Sequence, residues 1–238
     1  MGFILNAFGM NKKIIYILGL SGFIVLTAAW IFVDRRAEVP IQKASLVEEK
    51  VVVSPKIEEM PNTETKKLQW SNPPENKIDT KKSYHARLNT NKGAIKIELL
   101  SKETPVAVNN FVFLSREGFY NGTIFHRVIK GFMIQGGDPL GTGMGGPGYS
   151  FPDEPVKRSY TRGIVAMANA GSNTNGSQFF IMHQDYSLPP NYVIFGKVVE
   201  GLEVLDQIAS TPVVPSLTGE LSKPVEEILV ESVAIEEI

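Results

Sequence analysis

Arg127 stands in a largely apolar run, residues 125–138, that reads Phe-His-Arg-Val-Ile-Lys-Gly-Phe-Met-Ile-Gln-Gly-Gly-Asp. Phe125, Val128 and Ile129 precede a glycine turn at Gly131. Phe132, Met133 and Ile134 follow it, and Gln135 adds an amide. Two short strands joined at Gly131 set a permanent cation beside an aromatic ring and a thioether. Such a surface suits an apolar group whose neighbouring carbonyl needs a hydrogen-bond donor. A proline ring and the amide before it fit that description.

A second stretch answers the first. Residues 167–182 read Met-Ala-Asn-Ala-Gly-Ser-Asn-Thr-Asn-Gly-Ser-Gln-Phe-Phe-Ile-Met: a strand end, a polar turn, then a strand carrying Gln178, Phe179 and Phe180. The segments Phe125-His126-Arg127, Gly131-Phe132-Met133, Gln135-Gly136-Gly137-Asp138 and Asn175-Gly176-Ser177-Gln178-Phe179-Phe180 occur in that order. In this the chain resembles the cyclophilin family of peptidyl-prolyl isomerases, from about Tyr84 to the C-terminus. The resemblance implies an all-β fold: a closed eight-stranded antiparallel barrel capped by two helices. It also implies proline-containing polypeptides as substrates.

The resemblance assigns roles to residues. Arg127 bonds the carbonyl oxygen before the proline. Phe132, Met133, Phe180 and Leu188 line the proline pocket. Gln135 holds the peptide chain together with backbone at Ala168 and Asn169, and Gln178 supports Gln135 or Arg127. The pocket's far wall departs from eukaryotic relatives. Alignment on Leu188 places Ser187 where they have tryptophan and Tyr192 where they have histidine, so the Leu-Pro-Pro-Asn-Tyr form is similar to bacterial cyclophilins. The chemistry needs no covalent step and no cofactor. The amide barrier of about 18–20 kcal/mol comes from resonance, and an enzyme need only hold the ring and stabilise the twisted bond. A proline-peptide binding module would use the same pocket, so catalysis and simple binding both remain as readings at this level.

Other chemistries fit poorly. Gly141 to Gly146 matches G-x-G-x-x-G, but no apolar strand leads directly into it and Pro147 follows where a helix should start. His85, His126 and His183 show no metal-ligand spacing, and His126 reads as a structural hydrogen-bonding residue. There is no cysteine, so disulfides, thiolate sites and thiol nucleophiles are excluded. A formal net charge of −1 gives no electrostatic case for nucleic acid. A monomer is expected.

The elements that position these residues follow from pattern. Alternation at 85–89 and 94–99 around Asn91-Lys92-Gly93 predicts a hairpin. Thr104-Pro105 opens a helix that ends before Gly118. Strands are predicted over 125–129, 132–135, 163–167, 178–182, 192–199 and 228–235, with a second helix over 204–210. Residues 83–238 therefore form the expected isomerase domain. Ahead of it, residues 1–13 form an N-terminal cytoplasmic segment, in which Met10-Asn11-Lys12-Lys13 has the form of a start. Residues 14–33 carry no charge over 20 positions. At about 1.5 Å per residue they span roughly 30 Å, the bilayer's apolar thickness. Thr27-Ala28-Ala29 offers a cleavage-site reading, but apolar residues continue past it, so an uncleaved single-pass anchor is expected with the domain outside the cytoplasm. Residues 34–82, rich in Lys, Glu and Pro, read as a flexible linker.

Overall fold

The computed structural model describes residues 68–238. The expected segments 1–13 and 14–33, and the linker up to residue 67, lie outside the described residues. Among the described residues no helix is long and apolar enough to cross a membrane.

The hairpin forms as the alternation predicts. Strand β1 (Tyr84–Thr90) pairs with β2 (Gly93–Leu99), and Thr90 lies opposite Gly93, which leaves Asn91 and Lys92 as the turn. Helix α1 (Pro105–Arg116) has its proline in the first turn. Its orphan N–H groups find no cap in Thr104. The carboxylate of Glu154 takes them instead, accepting from Val106 N–H at 3.0 Å and Ala107 N–H at 2.8 Å. The chain continues through β3 (Thr123–Ile124), β4 (Arg127–Ile129), β5 (Met133–Gly136), β6 (Ile164–Met167), β7 (Phe179–Met182), β8 (Ile194–Glu200) and α2 (Leu202–Ala209). It ends with β9 (Val213–Pro215), β10 (Leu221–Pro224) and β11 (Leu229–Glu237).

The result is an all-β half-barrel with two helices, and its strand count differs from the expected closed barrel of eight. The main antiparallel sheet has nine strands in the order β3-β11-β1-β2-β8-β6-β7-β5-β4, and β9 and β10 form a separate ribbon. The ninth strand is β3, which lies ahead of the strand expected over 125–129; that expected strand shortens to β4. Phe125 turns into the core, 1% exposed, and its N–H donates to Ile228 O at 2.9 Å. That break sends β3 to pair with β11 and β4 to pair with β5, at opposite ends of the order. A single bridge, Ile124 to Asp138, links the two ends.

Alternation along β5 to β8 makes two hydrophobic clusters from the same strands. Side chains at successive positions leave opposite faces. Ile134, Val165, Met167, Phe179, Ile181 and Phe195 face the inner core, where Phe111 of α1 meets Phe179 at 5.6 Å and Phe195 at 5.1 Å between centroids. Met133, Ile164, Ala166, Phe180, Met182 and Ile194 face the other way and form a second cluster. Strands β5 to β7 are therefore largely buried on both faces, and the outer face is available to build a site.

The domain reaches back further than expected. The chain just ahead of β1, expected as the end of a flexible linker over 34–82, lies on the domain. Trp70 packs edge-on to Phe113 at 5.1 Å and against Phe119 at 5.9 Å, and its backbone N–H donates to Pro147 O at 2.9 Å. Gly148, with φ of 93°, permits that approach, since a Cβ there would meet Trp70 O at 2.6 Å. The Asn109 side chain accepts from Lys77 N–H at 2.9 Å and donates to Glu75 O at 3.0 Å. The physical reason is the aromatic side chain: Trp70 covers apolar surface that the polar composition around it conceals.

Candidate active site

Sheet register brings the chemistry-bearing residues into one row. Arg127 of β4 lies opposite Gln135 of β5, Gln135 opposite Phe180 of β7, and Phe180 opposite Ala166 of β6. Directly paired residues share a face. All four therefore project to the outer side, over the second cluster. Met133, two positions before Gln135, shares that face.

The row is tied by a chain of hydrogen bonds with one direction. Arg127 Nη1 donates to Gln135 Oε1 at 3.3 Å and sits 3.8 Å from Met133 Sδ. Because Gln135 Oε1 accepts, its amide nitrogen is the donor, and it donates to Gln178 Oε1 at 3.0 Å. Gln178 Nε2 in turn donates to the carbonyls of Gly143 and Gly145, each at 2.9 Å. Of the two roles the resemblance left open for Gln178, the geometry makes it a support for Gln135. Its own amide is occupied on both sides.

Apolar walls surround the row. Met133 and Phe180, at 1% and 5% exposed, form the floor. Phe132, Ala168, Leu188 and Tyr192 pack against the same cluster and are only partly buried, so they offer apolar surface to a ligand. Arg127 Cζ is 6.0 Å from the centroid of the Phe132 ring. Asn169 donates through Nδ2 to Asn191 O at 2.8 Å, joining two sides of the cleft. The Ala168 N–H is already given to Gln178 O at 2.9 Å, so of the backbone expected to hold a peptide at Ala168 it is the carbonyl that is left to do so.

The Gly131 turn that carries Phe132 is held from below. Gly131 N–H donates to His183 Nδ1 at 2.9 Å, and His183 Nε2 lies 3.2 Å from Asp206 Oδ1. The glycine loop after β5 wraps a carboxylate. Asp138 accepts from Leu140 N–H at 2.7 Å, Thr142 N–H at 2.9 Å and Gly143 N–H at 2.6 Å. Burial pushes the Asp138 carboxyl up, yet these backbone donors together with that of Gly145 outweigh it and hold it below its ordinary value. The N–H groups that a phosphate would need are thus spent inside the protein. His126 differs from expectation. Its Nδ1 is buried without a hydrogen-bond partner, and burial holds its pKa below the ordinary value.

Three residues of the site escaped the sequence reading. Tyr160 donates through its hydroxyl to Tyr192 O at 2.9 Å and accepts from Tyr192 N–H at 3.0 Å, pinning the far wall. Tyr186 packs against Phe132 with ring centroids 4.6 Å apart and planes tilted by 46°. Glu220, from the turn between β9 and β10, pairs with Arg127. A strand-like Val213-Val214 beside Pro215 was the one available signal for the ribbon that carries it.

Similarity to known proteins identifies the family. The family model described as cyclophilin type peptidyl-prolyl cis-trans isomerase/CLD matches residues 85–235. A peptidyl-prolyl cis-trans isomerase-like 3 of Gallus gallus is 51% identical over 132 residues, covering 53% of this chain and 82% of that protein. The peptidyl-prolyl cis-trans isomerase of Helicobacter pylori is 48% identical over 141 residues, covering 57% of this chain and 86% of its own. A cyclophilin-type isomerase of Cryptosporidium parvum, crystallised in the presence of the dipeptide Ala-Pro, superposes with a TM-score of 0.60 at 44% identity over 64% of this chain and 98% of that one. With a matched family model over most of the domain, and the arginine row that the family's motifs imply, this chain belongs to the cyclophilin-type peptidyl-prolyl cis-trans isomerases.

Proposed function

We propose that this chain accelerates rotation about X-Pro bonds in polypeptides, using Arg127 as the donor and the Phe132–Met133–Phe180–Leu188 surface as the proline pocket. One observation carries the reading: register places Arg127, Gln135 and Phe180 in a single outward row above an apolar floor. A proline ring on Met133 and Phe180 brings the preceding carbonyl towards Arg127 Nη1. Rotation removes amide resonance, so charge at the oxygen and nitrogen changes while the guanidinium stays charged and in place. A donor placed beforehand stabilises the twisted state more than either planar one. Gln135 and Asn169 hold the peptide on either side, and Tyr192 closes the far wall. We read the protein as acting as a monomer. The Cryptosporidium parvum relative crystallised in the presence of Ala-Pro supports proline peptides as the substrate class.

The same proposal places the domain at a membrane. The uncharged residues 14–33 support a single-pass anchor, and the following charged, proline-bearing segment supplies reach to clients outside the cytoplasm. The enzymatic half is tested with a protease-coupled isomerisation assay on an Ala-Pro peptide. Faster cis-to-trans conversion is expected. Binding of the peptide without acceleration turns the site into a binding module. The membrane half is tested by carbonate washing: full-length protein stays in the pellet, whereas a soluble form beginning near Trp30 refutes the anchor.

A further inference from the structure

The arginine is not free. Its Nε donates to Glu220 Oε2 at 2.6 Å and its Nη2 to Glu220 Oε1 at 2.8 Å, so one carboxylate occupies a whole edge of the guanidinium. The remaining nitrogen, Nη1, is the one beside Met133 and Gln135. We propose that Glu220 is a positioning residue: it grips Arg127 from behind and leaves Nη1 presented to the carbonyl before proline. This inference rests on the Arg127 reading above.

The carboxylate comes from a built turn. Strand β9 pairs with β10 in antiparallel register, Leu221 opposite Pro215 and Lys223 opposite Val214. Between them Gly219 adopts a left-handed φ of 84° and donates its N–H to Ser216 O at 3.0 Å. Ser216 N–H then donates to Glu220 O at 2.7 Å, which fixes the backbone of the gripping residue. The hydrogen bonds from Arg127 also hold the Glu220 carboxyl below its ordinary range.

Two effects of Glu220 oppose each other. A long arginine stem has many rotamers, and a two-pronged pair removes much of that freedom before substrate arrives. Against this, the carboxylate offsets the arginine's charge and competes for its donors. Competition prevails only if the substrate oxygen must use the Nε–Nη2 edge. The structure gives that edge to Glu220 and puts Nη1 on the pocket side, so positioning prevails. The pair is partly exposed, with side chains 32% and 40% accessible, and such pairs add little to stability. Its effect therefore falls on turnover.

The experiment measures kcat and KM on an Ala-Pro peptide for wild type, Glu220→Ala, Glu220→Gln, Arg127→Ala and the Glu220→Ala/Arg127→Ala double variant of the full chain, with urea midpoints. Glu220→Ala is expected to lower kcat by roughly 5–30-fold with KM changed less than about twofold and an unchanged midpoint. Glu220→Gln, which keeps one acceptor, should fall between. In the Arg127→Ala background, Glu220→Ala should have no further effect, a coupling that a merely structural role does not produce. Equal or higher kcat for Glu220→Ala, with Arg127→Ala still impaired, overturns the positioning role alone. Full turnover by Arg127→Ala overturns the underlying site reading instead.

Discussion

Removing the indole of Trp70 should unfold the domain earlier, although it lies in the stretch 34–82 that reads as a linker by composition. A fully buried tryptophan truncated to alanine costs about 3–5 kcal/mol, and Trp70 is only partly buried, so Trp70→Ala should cost about 2 kcal/mol. Deleting everything before Ser83 removes more. Ile78, also partly buried, adds about 1 kcal/mol. The two arm bonds of Asn109, which is 6% exposed, add roughly another 1 kcal/mol once water replaces them. The sum is about 4 kcal/mol, or roughly 8–16 °C in Tm for a domain of this size. The assay starts from residues 68–238, the span that the structure describes. Trp70 is the sole tryptophan in that span, so its fluorescence reports docking of the arm while circular dichroism reports the fold. Emission shifted to the blue in the native state, and a lower urea midpoint for both variants, are expected. A solvent-like native emission with equal midpoints for all three proteins refutes the docked arm.

Two further predictions concern the walls of the site. Tyr160→Phe leaves both Tyr192 backbone groups without their hydroxyl partner and should cost about 1–2 kcal/mol, with KM rising more than kcat falls, read from the same peptide assay plus urea unfolding. Asp138 has a folded pKa below its ordinary value of 3.8, so its contribution to stability is complete above that value and is lost as pH falls through the folded pKa. Unfolding followed from pH 6 to pH 3 should show wild-type stability declining below about pH 4, and Asp138→Asn should be less stable at pH 6 with a shallower decline. Equal slopes for the two proteins contradict the caged carboxylate.

Much of this architecture was legible where local pattern and tertiary role coincide. The β1–β2 hairpin follows from alternation around a glycine turn, and α1 follows from its proline and apolar spacing. The pocket residues on β5 and β7 were legible because Met133, Gln135 and Phe180 sit in recognisable motifs. The remaining features depend on contacts that no local window holds. Residues 125–129 look like one strand, but burial of Phe125 shortens it to Arg127–Ile129, and the two-residue β3 just ahead of it, paired with distant β11, changes the strand count. Strands β9 and β10 contain Pro215 and Pro224, which read as breakers although an edge ribbon tolerates them. Glu220 lies 93 residues from Arg127, and nothing near either residue announces the pair.

The central claim is that a fixed guanidinium stabilises the twisted amide, and Arg127 tests it most directly. Turnover of an Ala-Pro peptide is measured for wild type, Arg127→Ala and Arg127→Lys, with circular dichroism to establish that each is folded. Loss of such a donor costs about 2.7–4 kcal/mol, so Arg127→Ala should fall roughly 10²–10³-fold in turnover while still binding the peptide. Arg127→Lys should recover little of it, because an ammonium on a flexible stem cannot keep Glu220 and the substrate carbonyl in register at once. A folded Arg127→Ala protein that turns over like wild type contradicts the account.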